Sequence, residues 1–132
     1  MRDGSTRKMR SSGEAGGGDV FLSRFRASVV IVSGLAEGSE YTLDKPVQTL
    51  GRGPGVDLAF NDNAMSKKHA SLELSSGGFR VRDLGSTNGL LVNGASAQSA
   101  DLKHGDRFQI GEHVFQYVVE ERTAGPKTYV VD

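Results

Sequence analysis

The chain has no cysteine, only three prolines, and no apolar run longer than Val29–Val32. Without cysteine there is no disulfide framework and no thiolate metal site. His69, His104 and His113 lie too far apart in sequence to give metal-ligand spacing, so no metal is expected. A run as short as Val29–Val32 cannot cross a bilayer, which argues against a membrane partner. Arg24 and Arg26 interrupt the only segment near the N-terminus with the texture of a signal-peptide core, so the chain reads as cytoplasmic. A surplus of charge is also missing. Sixteen Lys and Arg balance sixteen Asp and Glu, and bulk charge therefore predicts no nucleic-acid partner.

What is abundant is glycine, with 18 among 132 residues. That favours many tight turns over long helices, in a chain long enough to bury a core. Charge is unevenly spread. Residues 1–26 hold six Lys and Arg against three Asp and Glu, whereas residues 27–132 hold ten against thirteen. The first segment, ending in Gly16-Gly17-Gly18, has no apolar period and reads as a flexible, mildly basic tail over 1–26. A short amphipathic helix over Val20–Phe25 is the one element predicted within it. From Ala27 the texture changes to short β-branched or aromatic runs between turn residues, and this domain extends to 121. Strands are predicted at Ser28–Val32, Glu40–Leu43, Val47–Leu50 and Leu90–Val92. Ala70, Leu72 and Leu74 alternate with polar residues, turn through Ser76-Gly77-Gly78, and return through Phe79 and Val81 as a hairpin. Arg107–Ile110 and Val114–Val119, joined by Gly111-Glu112, read as a second hairpin. The fold class is therefore all-β, a sandwich or a barrel. Residues 122–132 read as a C-terminal tail.

Chemistry concentrates in three loop-like clusters, each next to a predicted strand. Arg52 follows Gly51 and precedes Gly53-Pro54-Gly55, a turn with room for a ligand. No Gly-Lys-Ser/Thr follows, which excludes a nucleotide-phosphate loop and leaves no cofactor to expect. Ser66 and Lys67 place a hydroxyl and an ammonium just before the strand that starts near His69. Ser86, Thr87, Asn88 and Gly89 add two hydroxyls, an amide and a turn. A guanidinium, an ammonium, hydroxyls and an amide make an oxyanion receptor, with phosphate the obvious guest. No activated nucleophile, paired carboxylate or metal cluster accompanies them, so no catalysis is expected. His69 reads as a hydrogen-bonding brace, and His104 and His113 receive no role.

In this order, Gly51-Arg52, Ser66-Lys67-Lys68-His69 and Ser86-Thr87-Asn88-Gly89 resemble the forkhead-associated (FHA) domain family. Val92-Asn93-Gly94, Leu102-Lys103-His104-Gly105-Asp106 and Ile110-Gly111 extend the match, which covers about Val29 to Val119. The resemblance implies a sandwich of two antiparallel sheets with the ligand site on loops at one end. It implies a module that binds phosphothreonine proteins or peptides downstream of a Ser/Thr kinase. Arg52 and Ser66 would hold the phosphate with help from Lys67 and Thr87, Asn88 would bind the peptide main chain, and Ser86 belongs to the same phosphopeptide-binding set. Gly51, His69 and Gly89 would shape the loops. Many members carry Arg where this chain has Lys67, which keeps the charge and loses the planar fork. Thr6, Thr123 and Thr128 make the chain's own phosphorylated tail a further candidate ligand. The competing reading is a phosphate-independent docking scaffold on the same sandwich.

Overall fold

The computed structural model describes residues 20–122. The proposed tail phosphorylation sites Thr6, Thr123 and Thr128 lie outside the described residues. One short helix, α1 (residues 20–24), precedes eleven strands. These are β1 (Phe25–Ser33), β2 (Glu40–Leu43), β3 (Val47–Gly51), β4 (Leu58–Ala59), β5 (Ala70–Ser75), β6 (Gly78–Asp83), β7 (Leu90–Val92), β8 (Ala95–Ser96), β9 (Ser99–Asp101), β10 (Arg107–Ile110) and β11 (His113–Glu121). They form two packed sheets, one ordered β2-β1-β11-β10-β7-β8 and the other β4-β3-β5-β6-β9. The architecture is the expected sandwich. All pairings are antiparallel except β3 with β4.

The two-residue period of the sequence builds the core between the sheets. From the first sheet come Ala27, Val29 and Ile31 of β1, Phe108 and Ile110 of β10, and Phe115 and Tyr117 of β11. Leu50, Leu72, Phe79 and Val81 answer them from the second. Phe108 stacks on Phe115 at 5.0 Å, and Phe60 meets the same ring edge-on at 5.2 Å. Turn chemistry sets the hairpins. Asn93 and Gly94 both take positive φ, 50° and 86°, as a two-residue hairpin turn between β7 and β8 requires.

The folded body begins earlier than the sequence suggested. Residues 20–26, assigned to the tail, form α1 and the start of β1. Phe21 is buried against Phe25 and Phe79, and its neighbour Leu22 offers its carbonyl to Arg122 Nε at 2.8 Å. Arg122, placed in the other tail, also donates its backbone N–H to Arg24 O at 2.8 Å. The short helix expected over Val20–Phe25 is present as α1, and one buried aromatic ring docks it onto the sandwich. Strands β4, β8 and β9 escaped the sequence because they are two or three residues long and, unlike the equally short β7, hold no β-branched residue.

The elements sort to two ends. Around α1 lie the Ser76-Gly77 turn and the Tyr117 hydroxyl, which accepts the Phe79 N–H at 3.2 Å. Burial pushes the Tyr117 hydroxyl pKa up to about 12 although the Phe79 N–H acts to lower it. At the opposite end the chain leaves β3 at Gly51, enters β5 at Ala70, leaves β6 at Asp83, and turns from β10 to β11 at Gly111-Glu112. That end carries the site. Tyr117→Phe should lower the unfolding free energy by about 1–3 kcal/mol, because the buried Phe79 N–H loses its acceptor. Urea denaturation followed by circular dichroism checks this, and an unchanged midpoint would mean the bond contributes nothing net.

Candidate functional site

Close backbone contact brings the first two loops together. Arg52 N donates to Ser66 O at 2.9 Å and Gly53 N to Lys67 O at 3.2 Å. A Cβ on Gly51 would sit 2.0 Å from Lys67 O, so only glycine permits this approach. The Arg52 side chain is then fixed by one bond, Nε to Met65 O at 3.1 Å. Its two terminal nitrogens make no hydrogen bond to the described residues.

His69 joins the second and third loops. It is fully buried, and its Nδ1 accepts the Ser66 N–H at 3.0 Å. An acceptor Nδ1 places the ring hydrogen on Nε2, which donates to Gly89 O at 2.8 Å. Its own backbone is held as well, N to Leu50 O at 2.8 Å and O from Leu84 N at 2.9 Å. Ser66 Oγ accepts the Thr87 N–H at 3.0 Å. That leaves the Ser66 hydroxyl hydrogen for a ligand. Asn88 Nδ2 donates to Ala64 O at 2.8 Å, which aims the amide while its Oδ1 makes no hydrogen bond among the described residues.

Arg52, Ser66, Thr87 and Asn88 thus line one hollow of about 160 Å³, together with Asn63, Ala64 and Met65. Lys67 and Lys68 are exposed beside it. Arg26, Lys45, Arg80 and Arg82 each pair with a carboxylate, whereas Arg52, Lys67 and Lys68, like Arg24, Lys103, Arg107 and Arg122 elsewhere, have no ion-pair partner among the described residues. The hollow thus holds one uncompensated guanidinium and the Ser66 and Thr87 hydroxyls, with two exposed lysines next in the chain, which suits a compact anion.

The Ser86 hydroxyl donates to Asp83 Oδ1 in a short contact and accepts the Gly89 N–H at 2.8 Å. The hydroxyl's one hydrogen is directed into the protein, so Ser86 braces the loop and keeps only a lone pair for any other contact. Asp83, which the sequence reading left without a role, organises this turn. Its Oδ2 accepts Gly85 N at 3.0 Å and Ser86 N at 3.1 Å. Burial acts to raise the Asp83 pKa, but the Ser86 hydroxyl and these two N–H groups outweigh it and hold the carboxyl below its ordinary value. The Asp-x-Gly-Ser spacing is an Asx-turn signature that could have found it.

His113 was also passed over. It is buried and its Nδ1 lies 2.7 Å from Asp62 Oδ2. A cleft of about 400 Å³, lined in part by Leu35, Asp62, Glu112 and His113, adjoins the smaller hollow and shares Asn63 and Ala64 with it. Among the described residues no group of three or more His, Cys, Asp or Glu side chains is placed to hold a metal. No helix among them is long and apolar enough to cross a membrane.

Two sheets of this topology, with these three loops at one end, define a domain built for recognition through its loops. The FHA domain family model matches residues 48–111. The chain is 37% identical over 102 residues to the glycogen accumulation regulator GarA of Mycolicibacterium smegmatis, covering 77% of this chain and 61% of that one. It is 37% identical over 98 residues to an oxoglutarate dehydrogenase inhibitor of Corynebacterium diphtheriae, covering 74% and 68%. A solved FHA domain studied for phosphothreonine-dependent interactions superposes with a TM-score of 0.65 at 25% identity, over 70% of this chain and 95% of that one. The chain belongs to the FHA domain family. It spans about three fifths of GarA and two thirds of the inhibitor.

Two outcomes follow from the geometry. His69→Ala leaves the Ser66 N–H and the Gly89 carbonyl without partners, at about 1–3 kcal/mol for each group that stays buried. The melting temperature should fall, and an unchanged one would show that His69 braces nothing. Acid should also loosen the site. The depressed pKa of Asp83 means its contribution is complete above the unfolded value of about 3.9 and is lost as pH falls through the lower folded value. Asp83→Asn should therefore be less stable at neutral pH and show a shallower acid limb. Parallel acid limbs for the two proteins would contradict this.

Proposed function

We propose that this chain is a non-catalytic module that recognises a phosphothreonine-bearing protein segment in Ser/Thr-kinase-dependent regulation. One observation carries the reading. Hydrogen bonds tie the three loops to one another, yet the Arg52 terminal nitrogens and the Ser66 hydroxyl hydrogen have no partner among the described residues and stand at one hollow, with Lys67 exposed next to Ser66 in the chain. A phosphate dianion would take two parallel N–H donors from Arg52, the Ser66 hydroxyl, and the charge of Lys67. The Thr87 hydroxyl, on the rim, is the fourth donor. Asn88 Oδ1 would accept a peptide N–H next to the phosphothreonine.

Magnitudes support a reversible signal. Each charge-assisted hydrogen bond contributes roughly 1.5–3 kcal/mol. Desolvation and ordering of a flexible peptide cost several kcal/mol. A micromolar dissociation constant, about −8 kcal/mol, is the expected balance. Burying the threonine methyl adds about 0.8 kcal/mol over serine, a several-fold preference.

The relatives point to the physiological setting. Their names describe a regulator and an enzyme inhibitor, and a regulatory binding role for this chain agrees with both. A kinase-dependent role places the module in the cytoplasm, where the kinase and its ATP are found. The chain's own phosphorylated tail competes for the same loops in this reading. A tethered ligand acts at an effective concentration of up to about millimolar. Val20 lies at the end of the sandwich away from the hollow, so an N-terminal ligand must pass along β1, about 30 Å for a nine-residue strand. The fourteen residues from Thr6 to Val20 reach up to about 48 Å when extended.

Calorimetric titration with a phosphothreonine peptide and its unphosphorylated twin tests the reading. Only the phosphorylated form should bind, and Arg52→Ala should abolish binding while the circular dichroism spectrum stays unchanged. Equal binding of the twins would establish the phosphate-independent scaffold instead. Affinity should also fall from about pH 7 to about pH 5, because phosphate loses its second charge near pH 6 while guanidinium and ammonium groups keep theirs. A flat profile would remove the dianion from the mechanism.

A further inference from the structure

We propose that Asp62 and His113 form a clasp between the two sheets that positions the phosphate-binding loop, making both of them positioning residues for ligand binding although neither lines the hollow. The consequence for ligand rests on the phosphopeptide reading above. The clasp itself rests on geometry alone.

Asp62 is buried four residues before Ser66, in the loop between β4 and β5. Its Oδ1 accepts the Ala64 N–H at 2.9 Å. Its Oδ2 accepts the Glu112 N–H at 2.8 Å and the His113 Nδ1–H at 2.7 Å. Glu112 sits in the β10–β11 turn and His113 opens β11, so one carboxylate ties the second sheet's loop to the first sheet. The space is specific to it. A Cβ on Gly111 would come within 2.6 Å of Asp62 Oδ2, and one on Gly34 within 2.9 Å of the His113 ring. Phe60 and Phe115 flank the imidazole at 5.3 and 6.1 Å.

The segment so clasped supplies the acceptors that aim the Arg52 and Asn88 side chains. The Asp62 carbonyl accepts Met65 N at 3.0 Å, closing a compact turn. Out of that turn come Ala64 O, which aims Asn88; Met65 O, which aims the Arg52 guanidinium; and Ser66 O, which fixes the Arg52 backbone. Releasing Asp62 frees all three acceptors together. Burial acts to raise the Asp62 pKa, but the His113, Glu112 and Ala64 hydrogen bonds outweigh it, in keeping with a carboxylate that is anionic when the clasp is closed.

The test uses the full chain. Asp62→Asn keeps the side-chain shape and one acceptor for Ala64 N, but turns an NH₂ toward two donors. His113→Phe keeps a ring between Phe60 and Phe115 and removes the donor. Tyr117→Phe, at the far end, controls for general destabilisation. Amide exchange of the free protein should accelerate about tenfold or more at Arg52, Met65, Ser66 and Thr87 in Asp62→Asn, as expected for loss of a buried hydrogen-bond partner. His113→Phe should shift the same amides less, and Tyr117→Phe should leave them unchanged. For the phosphothreonine peptide, Asp62→Asn should weaken affinity about 5- to 10-fold, with Tyr117→Phe at the wild-type value. Undisturbed exchange at those four amides in both clasp variants would overturn the proposal, as would an affinity loss matched by Tyr117→Phe. If wild type binds no phosphopeptide, the functional reading fails and the exchange pattern still decides the clasp. If Asp62→Asn does not fold, His113→Phe decides it.

Discussion

A single buried imidazole joins the loops on which this domain's recognition rests. His69 accepts the Ser66 N–H on one ring nitrogen and donates to the Gly89 carbonyl with the other. The two bonds fix the tautomer as well as the spacing of two loops that are far apart in sequence. Once Ser66 is placed, its hydroxyl oxygen can receive the Thr87 N–H, and the third loop closes over the second. No lysine or arginine can substitute, since neither offers an acceptor. An amide side chain presents its donor and acceptor on one carbon rather than across a ring.

Around that bridge the loops divide their polar groups by direction. Two carboxylates, Asp62 and Asp83, collect the inward-facing donors: four backbone N–H groups, the Ser86 hydroxyl and the His113 ring. The cations do the reverse. Those on the outer face of the second sheet are neutralised, Arg80 by Asp101 at 2.9 Å and Arg82 by Glu73 at 2.6 Å, while those at the hollow are not. An anionic guest therefore meets donors already oriented by bonds that do not involve it. Little reorganisation remains for the moment of binding, which is what preorganisation means in energetic terms.

Much of this was legible in the sequence, for identifiable reasons. The β5–β6 and β10–β11 hairpins show clean alternation with a glycine at or next to each turn, and both are seen. Gly51, Arg52, Ser66 and Asn88 are each ordinary turn or surface residues taken singly, and they stand out because the three clusters occur together and in this order. Most of what was missed depends on contacts distant in sequence. Asp62 and His113 are 51 residues apart, and neither has a local pattern that names the other. The role of Asp83 in setting the Ser86 hydroxyl direction is the exception, since the two are three residues apart and their spacing is a local turn signature. Phe21 was left in a tail because the slot that receives it, beside Phe79 and under Gly78, is made by strands more than fifty residues later.

The separation of inward and outward groups also sets which positions are free to vary. The Lys67, Lys68 and Thr87 side chains make no hydrogen bond within the described fold, and the contribution of Thr87 to loop closure is through its backbone. Exchanging them alters the charge and shape offered to a ligand at little cost in stability. His69, Asp83, Ser86 and Asp62 cannot be exchanged so cheaply, since each leaves two or more hydrogen-bonding partners unpaired. Selectivity can thus be tuned on the rim while the frame beneath stays fixed. Lys67 illustrates the principle: an ammonium where many FHA domains carry a planar guanidinium exchanges a fixed fork for a mobile point charge, and under the proposed reading it would soften the geometric demand on a phosphate without disturbing the bonds that hold Ser66.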